Sequence, residues 1–307
     1  MGGLDFSCPF PDRGAYSHVD VLFDKKVANT LWVTMKKNPA QPAHHFSLPL
    51  LHELHEVGQA LKAASSQWHH NGRMELVNYA VMCSGHPDYF SLGGDLRMFR
   101  ACIRNHDREA LFGYSRLCLE VMHEWQACAS RNMSTISLVQ GRALGGGFEA
   151  ALSADHLIAE EHSTFGFPEI MFGLFPCTGA MSLLVRRLPV YQAQKLMTSG
   201  KVYTAYELHA MGIIDEVCGR GDGVAAVERY IAQHTRRRAA RLTVRRAVER
   251  VSRLDFAELL RVVEDWVDLA MALTPNELRV MDMLISMQYG SAHAGVKTDR
   301  LAPALTS

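Results

Sequence analysis

Two glycine-rich segments and two glutamates supply the reactive groups of this sequence. Gln140-Gly-Arg-Ala-Leu-Gly-Gly-Gly-Phe-Glu149 follows an apolar, strand-like stretch and leads into a helix-forming one. Glycines let the backbone turn tightly and approach a ligand, and a helix start offers unpaired N–H groups and a positive dipole end to negative charge. A second pair, Gly93-Gly94, lies between another apolar strand and another helix. Two such loops aimed at one carbonyl oxygen make an oxyanion hole, worth about 3–4 kcal/mol per donor. Glu149 stands in the first turn after the glycines, and Glu169 lies in the apolar, Pro-flanked stretch Phe165-Gly-Phe-Pro-Glu-Ile-Met-Phe172. Desolvation there raises a carboxyl pKa toward the range useful for acid–base work. Two such groups on one substrate let one take a proton while the other gives one. Taken singly, each feature also reads as ordinary structure: a glycine-packed helix, a turn with Asp95 as helix N-cap, solvated glutamates. Glu160 and Glu161 are read as a solvated strand end.

Positioning these groups needs a scaffold, and the pattern of the chain describes one. β-rich segments at 19–23, 29–35, 76–83, 135–139 and 156–159 alternate with helical stretches at 48–64, 107–127, 147–154 and 180–198, which argues for an α/β fold. From Gly221 the pattern turns to nearly unbroken helix through Ile285, with Thr274 and Pro275 as N-cap and first residue of its last helix. The expected organisation is an irregular segment 1–15, a core 16–220, a helical C-terminal subdomain 221–290 and a tail 291–307.

Composition bounds the rest. With 307 residues, 48% of them apolar, the chain buries a large core. Its 32 basic residues balance 32 acidic ones, so no global field draws it to nucleic acid or anionic lipid. No export signal or membrane-length apolar run is seen, which predicts a cytoplasmic protein. Seven scattered cysteines without a C-x-x-C pair read as buried free thiols. No Lys-Ser/Thr follows the glycines, which excludes a Walker loop, and no G-x-S-x-G elbow occurs. His52-Glu-Leu-His55 lacks zincin spacing, and His44-His45 and His69-His70 lack ligand partners, so no metal is expected.

Together the motifs resemble the crotonase (enoyl-CoA hydratase/isomerase) superfamily, in the order Phe90-Ser-Leu-Gly-Gly-Asp-Leu96, Gly141-Arg-Ala-Leu-Gly-Gly-Gly-Phe-Glu149 and Phe165-Gly-Phe-Pro-Glu169. The similarity covers about residues 20–290. Phrases such as Ser137-Leu-Val-Gln-Gly-Arg-Ala-Leu-Gly-Gly-Gly-Phe-Glu-Ala-Ala-Leu-Ser153, Leu174-Phe-Pro176 and Trp266-Val-Asp-Leu-Ala-Met271 look closest to the diffusible signal factor synthases, which make cis-2-unsaturated fatty acid signals. The resemblance implies a crotonase ββα spiral core with C-terminal helices, and a homotrimer or hexamer. It implies an oxyanion hole from the N–H groups of Gly94 and Gly146, with Glu149 and Glu169 as catalytic pair. The reaction implied is dehydration of a 3-hydroxyacyl chain on acyl carrier protein followed by thioester hydrolysis. No cofactor is implied beyond the 4'-phosphopantetheine of that carrier. A conventional enoyl-CoA hydratase is the alternative, and a non-catalytic acyl-binding regulator held by a sensor kinase is the other.

The acyl chain needs an apolar pocket, for which Phe167, Met171, Phe172, Leu174, Trp266, Met271 and Leu284 are candidates. Trp266 and Leu284 match positions that face the acyl tail in the signal synthases; the other five also read as core. The arginines from Arg236 to Arg253 read as a solvated helix face or as a dock for an acidic carrier protein and its phosphate.

Overall fold

Parallel strands need a long crossover between them, and this chain uses successive crossovers to lay one strand in each of two sheets. The computed structural model describes residues 16–39, 43–127 and 132–290. The expected N-terminal segment 1–15 and tail 291–307, with Cys8 and Cys128, lie outside the described residues.

A hairpin of β1 (Val19–Asp24) and β2 (Thr30–Met35) opens the larger sheet. Helix α1 (Leu48–Ala63) follows, its first turn capped by the Ser47 hydroxyl, and it buries Leu50, Leu51, Leu54, Val57 and Leu61. The small hairpin β3 (Gln67–His70) and β4 (Arg73–Leu76) stands apart. The 76–83 stretch, read as one strand, divides here: Val77 and Asn78 separate β4 from β5 (Tyr79–Ser84), all six residues of which are buried. Three strand pairs then repeat one pattern. β5, β7 (Ser134–Val139) and β9 (His156–Glu160) enter the larger sheet, in which β1, β2, β5, β7 and β9 lie side by side in that order. β6 (Tyr89–Ser91), β8 (Arg142–Leu144) and β10 (Thr164–Gly166) enter a four-stranded one, in which β8 lies between β6 and β10. Helices α2 (Leu96–Arg104) and α3 (Arg108–Gln126) follow the first pair and α4 (Gly146–Leu152) the second. The result is the expected ββα spiral.

Past the turn at Pro168–Phe172, the helix read over 180–198 is two, α5 (Ala180–Leu184) and α6 (Val190–Thr198). Pro189 between them has no N–H to continue a helical ladder. β11 (Val202–Thr204), α7 (Ala205–Ala210) and β12 (Glu216–Cys218) complete the sheets. The C-terminal helices α8 (Gly223–His234), α9 (Arg238–Val251), α10 (Phe256–Met271) and α11 (Pro275–Gly290) are packed into this body. α8 lays Ala226, Val227 and Ile231 on Val81, Leu138 and Ile158, covering the second face of the larger sheet. α10 runs along α3, and α11 lies beside α2 and the 168–172 turn. α11 starts as expected: Glu277 N–H donates to the Thr274 hydroxyl at 3.4 Å, and Thr274 N–H returns a bond to Glu277 at 2.7 Å.

Glu160 corrects the sequence reading. It is only 2% exposed and accepts from Gln140 Nε2 and from the N–H groups of Gly221 and Gly223, tying the entry of α8 to β9. A carboxylate so placed satisfies backbone donors that would otherwise be buried without partners. The five described cysteines are unpaired, and no described helix is long and apolar enough to cross a membrane.

Candidate active site

The two glycine loops meet. The Gly93-Gly94 loop is held from outside: Phe46 N–H donates to Gly93 O at 2.8 Å, Leu92 N–H to His44 O at 2.7 Å, and Asp95 N–H to the Tyr114 hydroxyl at 3.0 Å. A Cβ built on Gly93 would stand 2.8 Å from Gly146 N, and one on Gly146 would stand 3.8 Å from Gly94 N, so the two amides lie side by side across the loops. Gly146 opens α4, where an N–H has no acceptor within its own helix. Both Gly94 and Gly146 face one cavity of about 1460 Å³. Close helix packing sets this geometry: α4 crosses β6 so tightly that a Cβ on Gly147 would lie 2.1 Å from Ser91 O.

Both glutamates reach the same cavity. Glu149 is 2% exposed; its Oε2 accepts from the Thr178 hydroxyl at 2.6 Å and its Oε1 from Ala180 N–H at 2.9 Å. Burial raises its pKa to about 7, against those hydrogen bonds, which favour the carboxylate. Glu169 is the second residue of the 168–172 turn and lies directly beside Gly145, whose φ of +54° and ψ of −130° suit glycine. Its Oε2 is shielded from solvent and has no hydrogen-bond partner among the described residues. Burial first, and the neighbouring Glu149 charge second, push its pKa up to about 8. When the pair shares one proton, that proton belongs on Glu169, because Glu149 has the donors of Thr178 and Ala180 to hold a negative charge. The site therefore offers a buried carboxyl able to act as base, a half-buried one able to act as acid, and two neighbouring backbone amides.

The rest of the cavity is apolar. Of the expected pocket residues, Met171, Phe172, Trp266 and Leu284 line it. Phe167, Leu174 and Met271 do not. Phe167 is fully buried and stacks on Phe148 at 4.9 Å, Leu174 is 1% exposed in the core, and Met271 packs against that core from the last turn of α10. Sequence reading missed the walls supplied by Leu51 and Leu54 of α1, Phe99 of α2, and Met122 and Trp125 of α3. Apolar residues at helical spacing look alike in the sequence whether they fill a core or line a cavity. It also missed Thr178, 29 residues from the glutamate it serves. The Pro176-Cys-Thr-Gly179 turn was the available signal.

Shortening Leu284 to Ala is expected to move the chain-length optimum, changing relative kcat/KM between short and long acyl thioesters about tenfold. A series of acyl lengths measures this, and equal losses at every length would count against a chain-binding role.

No described residue of α9 borders the cavity, where the cations are Arg142 and Lys201. Within the arginine run, Arg245 pairs with Asp155 at 2.6 Å, and Arg238 and Arg246 bond Asn132. Among the described residues no three His, Cys, Asp or Glu side chains converge as a metal site.

Residues 50–261 match the enoyl-CoA hydratase/isomerase family model. The chain belongs to that family. A probable enoyl-CoA hydratase of Mycobacterium avium is 32% identical over 151 residues, 49% of this chain and 56% of that protein. The fatty acid oxidation complex subunit alpha of Vibrio cholerae is 28% identical over 176 residues, 57% of this chain and 24% of that protein. The chain thus spans from about a quarter to about half of these curated relatives. Among solved structures, an enoyl-CoA hydratase from Bacillus halodurans superposes with a TM-score of 0.69 at 21% identity, covering 87% of this chain and all of that one. This is the crotonase fold.

Proposed function

We propose that this protein interconverts 2-enoyl and 3-hydroxyacyl thioesters by adding or eliminating water between Glu149 and Glu169. The observation that carries the reading is the unequal pair: two carboxyls in one cavity, one with both oxygens held by donors and one with an oxygen, Glu169 Oε2, that has no partner among the described residues, beside the paired amides of Gly94 and Gly146. The amides hold the thioester oxygen as it gathers enolate charge. In hydration, the Glu149 carboxylate takes a proton from a water attacking C3, and Glu169 delivers its proton to C2. Elimination reverses both transfers: Glu169 takes the C2 proton and Glu149 protonates the departing 3-hydroxyl.

A second reading makes the protein a diffusible signal factor synthase, working on a 3-hydroxyacyl acyl carrier protein and then hydrolysing the thioester to a free cis-2-enoic acid. The long phrase Ser137–Ser153 and the placement of Trp266 and Leu284 at the cavity favour it. A sensor kinase partner belongs to this reading. Assembly into trimers or hexamers fits either, since α9 leaves Val244, Val248 and Val251 exposed on one face.

The deciding experiment feeds 3-hydroxydodecanoyl thioesters of CoA and of carrier protein to the protein and identifies products by mass spectrometry. Trans-2-enoyl-CoA supports the hydratase reading, and free cis-2-dodecenoic acid from the carrier thioester supports the synthase. No turnover of either overturns both.

Activity requires one proton on the pair, which titrates as a unit. Below about pH 7 the pair takes up a second proton, and above about pH 8 it loses the first. A bell-shaped kcat/KM profile with limbs near those values is expected in both directions. A flat profile across that range would sink the assignment.

A further inference from the structure

The last turn of α11 is tied to the loop that carries Gly94. Tyr289 Oη donates to Asp95 Oδ1 at 2.9 Å and stands 2.7 Å from His45 Nε2. A hydroxyl has one proton, so with that proton on Asp95 the His45 Nε2–H is the donor to Tyr289. The tautomer this selects agrees with His45 Nδ1, which is buried and has no partner among the described residues: an acceptor is left over rather than a donor. His45, whose side chain is 1% exposed, also lies directly against Asp95, Nε2 to Oδ2 at 3.6 Å, so the Tyr289 hydroxyl closes a triangle with the two. Burial and the Asp95 charge raise the Tyr289 pKa, so the hydroxyl stays a donor.

Asp95 is the residue after Gly94 and the N-cap of α2, its Oδ1 accepting from Arg97 and Met98 N–H at 3.0 and 3.3 Å. Its own N–H is held by Tyr114. Arg97, in the same first turn, lays its guanidinium 3.4 Å from the Tyr289 ring centroid. The peptide that presents Gly94 is thus fixed from one side by Tyr114 and Phe46 and from the other by α11. α11 meanwhile contributes Val280, Met283 and Leu284 to the cavity, and a second tie, Arg100 to Asp282 at 2.9 Å, holds it to α2 away from the glycine loop.

The geometry points to Tyr289 as a positioning residue of the oxyanion hole: through Asp95 it sets the direction of the Gly94 N–H. This rests on the thioester reading above. Catalytic geometry is steep, and a small misplacement of a donor costs rate without costing binding.

The test uses Tyr289→Phe, which keeps the ring under Arg97 and removes only the hydroxyl, and Asp282→Asn, which takes the charge out of the other tie between the same helices. Acetoacetyl-CoA is the probe, because its enolate has a distinct ultraviolet band and its bound enolate fraction reports stabilisation of the oxyanion without turnover. Tyr289→Phe is expected to lower the enolate-to-keto ratio, and kcat on both crotonoyl-CoA and 2-dodecenoyl-CoA, about tenfold, with KM changed less than about twofold. Asp282→Asn is expected to leave the ratio and kcat as in the wild type. Equal effects of the two substitutions, or a rise in KM for the long substrate alone, would assign Tyr289 to holding α11 only and overturn the proposal. A Tyr289→Phe protein identical to wild type would do the same. Absence of any enolate on the wild type would instead overturn the oxyanion assignment of Gly94 and Gly146, and the positioning role with it.

Discussion

Glu169→Gln is expected to lower kcat by about 10²–10⁴-fold and at the same time to make the protein more stable. The amide keeps the shape of the side chain but has no proton to give to C2 and cannot take one back. The gain in stability comes from the same burial that tunes the group. Folded, Glu169 holds its proton up to about pH 8; an unfolded chain releases it near the ordinary value of 4.5. The unfolded state therefore binds fewer protons across that window, and wild-type stability falls as pH rises through it, levelling off above the folded pKa. The amide of the variant does not titrate. The Tm difference, variant minus wild type, is expected to widen from about pH 5 to about pH 8 and then stay constant. Thermal unfolding at several pH values, with kcat measured on the same preparations, checks both halves. A Tm gap that did not change with pH would mean that Glu169 is not held protonated. Adding Glu149→Gln is expected to cost little more activity, because the two carboxyls act as a unit.

Gly145→Ala is the second large effect, and its two consequences separate cleanly. The backbone at φ +54° and ψ −130° is one that glycine adopts freely and alanine does not, a strain of about 1–3 kcal/mol. The new Cβ would also stand 2.4 Å from Glu169 Oε1. That atom is the far end of a flexible side chain, so Glu169 can turn aside and the fold survives. Turned aside, it no longer faces the substrate, and kcat is expected to fall about 10²-fold or more. Gly147→Ala offers the contrast. Its Cβ would meet the Ser91 backbone at 2.1 Å, which cannot turn aside, so α4 must leave β6 and the variant is expected to fail in folding. Solubility, Tm and kcat for the two alanine variants distinguish them; a fully active Gly145→Ala would mean that Glu169 has no part in the reaction.

Much of the site was legible because its parts are local. Glycines before a helix, a glutamate in that helix's first turn, and a glutamate in a Pro-flanked apolar stretch are patterns of neighbours in the chain. Glu149 and Glu169, Gly94 and Gly146 all face one cavity. Glu160 was misread because a strand end next to Glu161 looks solvated until a segment some sixty residues later brings Gly221 and Gly223 onto it. Phe167 and Met171, four residues apart on either side of Glu169, were indistinguishable as pocket candidates. One stacks in the core on Phe148 and the other is 48% exposed at the cavity.

Residue order alone thus determined which groups are available for chemistry, the alternation of strand and helix, and the caps that start the helices, since these depend on φ/ψ preference, periodicity and hydrogen bonds a few residues long. Only the tertiary structure decided which carboxyl keeps the proton. Thr178 and Ala180 reach Glu149 across some thirty residues of chain, and among the described residues no donor reaches Glu169 Oε2. A pKa depends on the three-dimensional balance of desolvation, charge and donors around a group, which no short stretch of sequence contains. The same holds for the tie from Tyr289 to Asp95, 194 residues apart: contacts of that range exist only once the spiral has closed and α11 has come to rest over its own cavity.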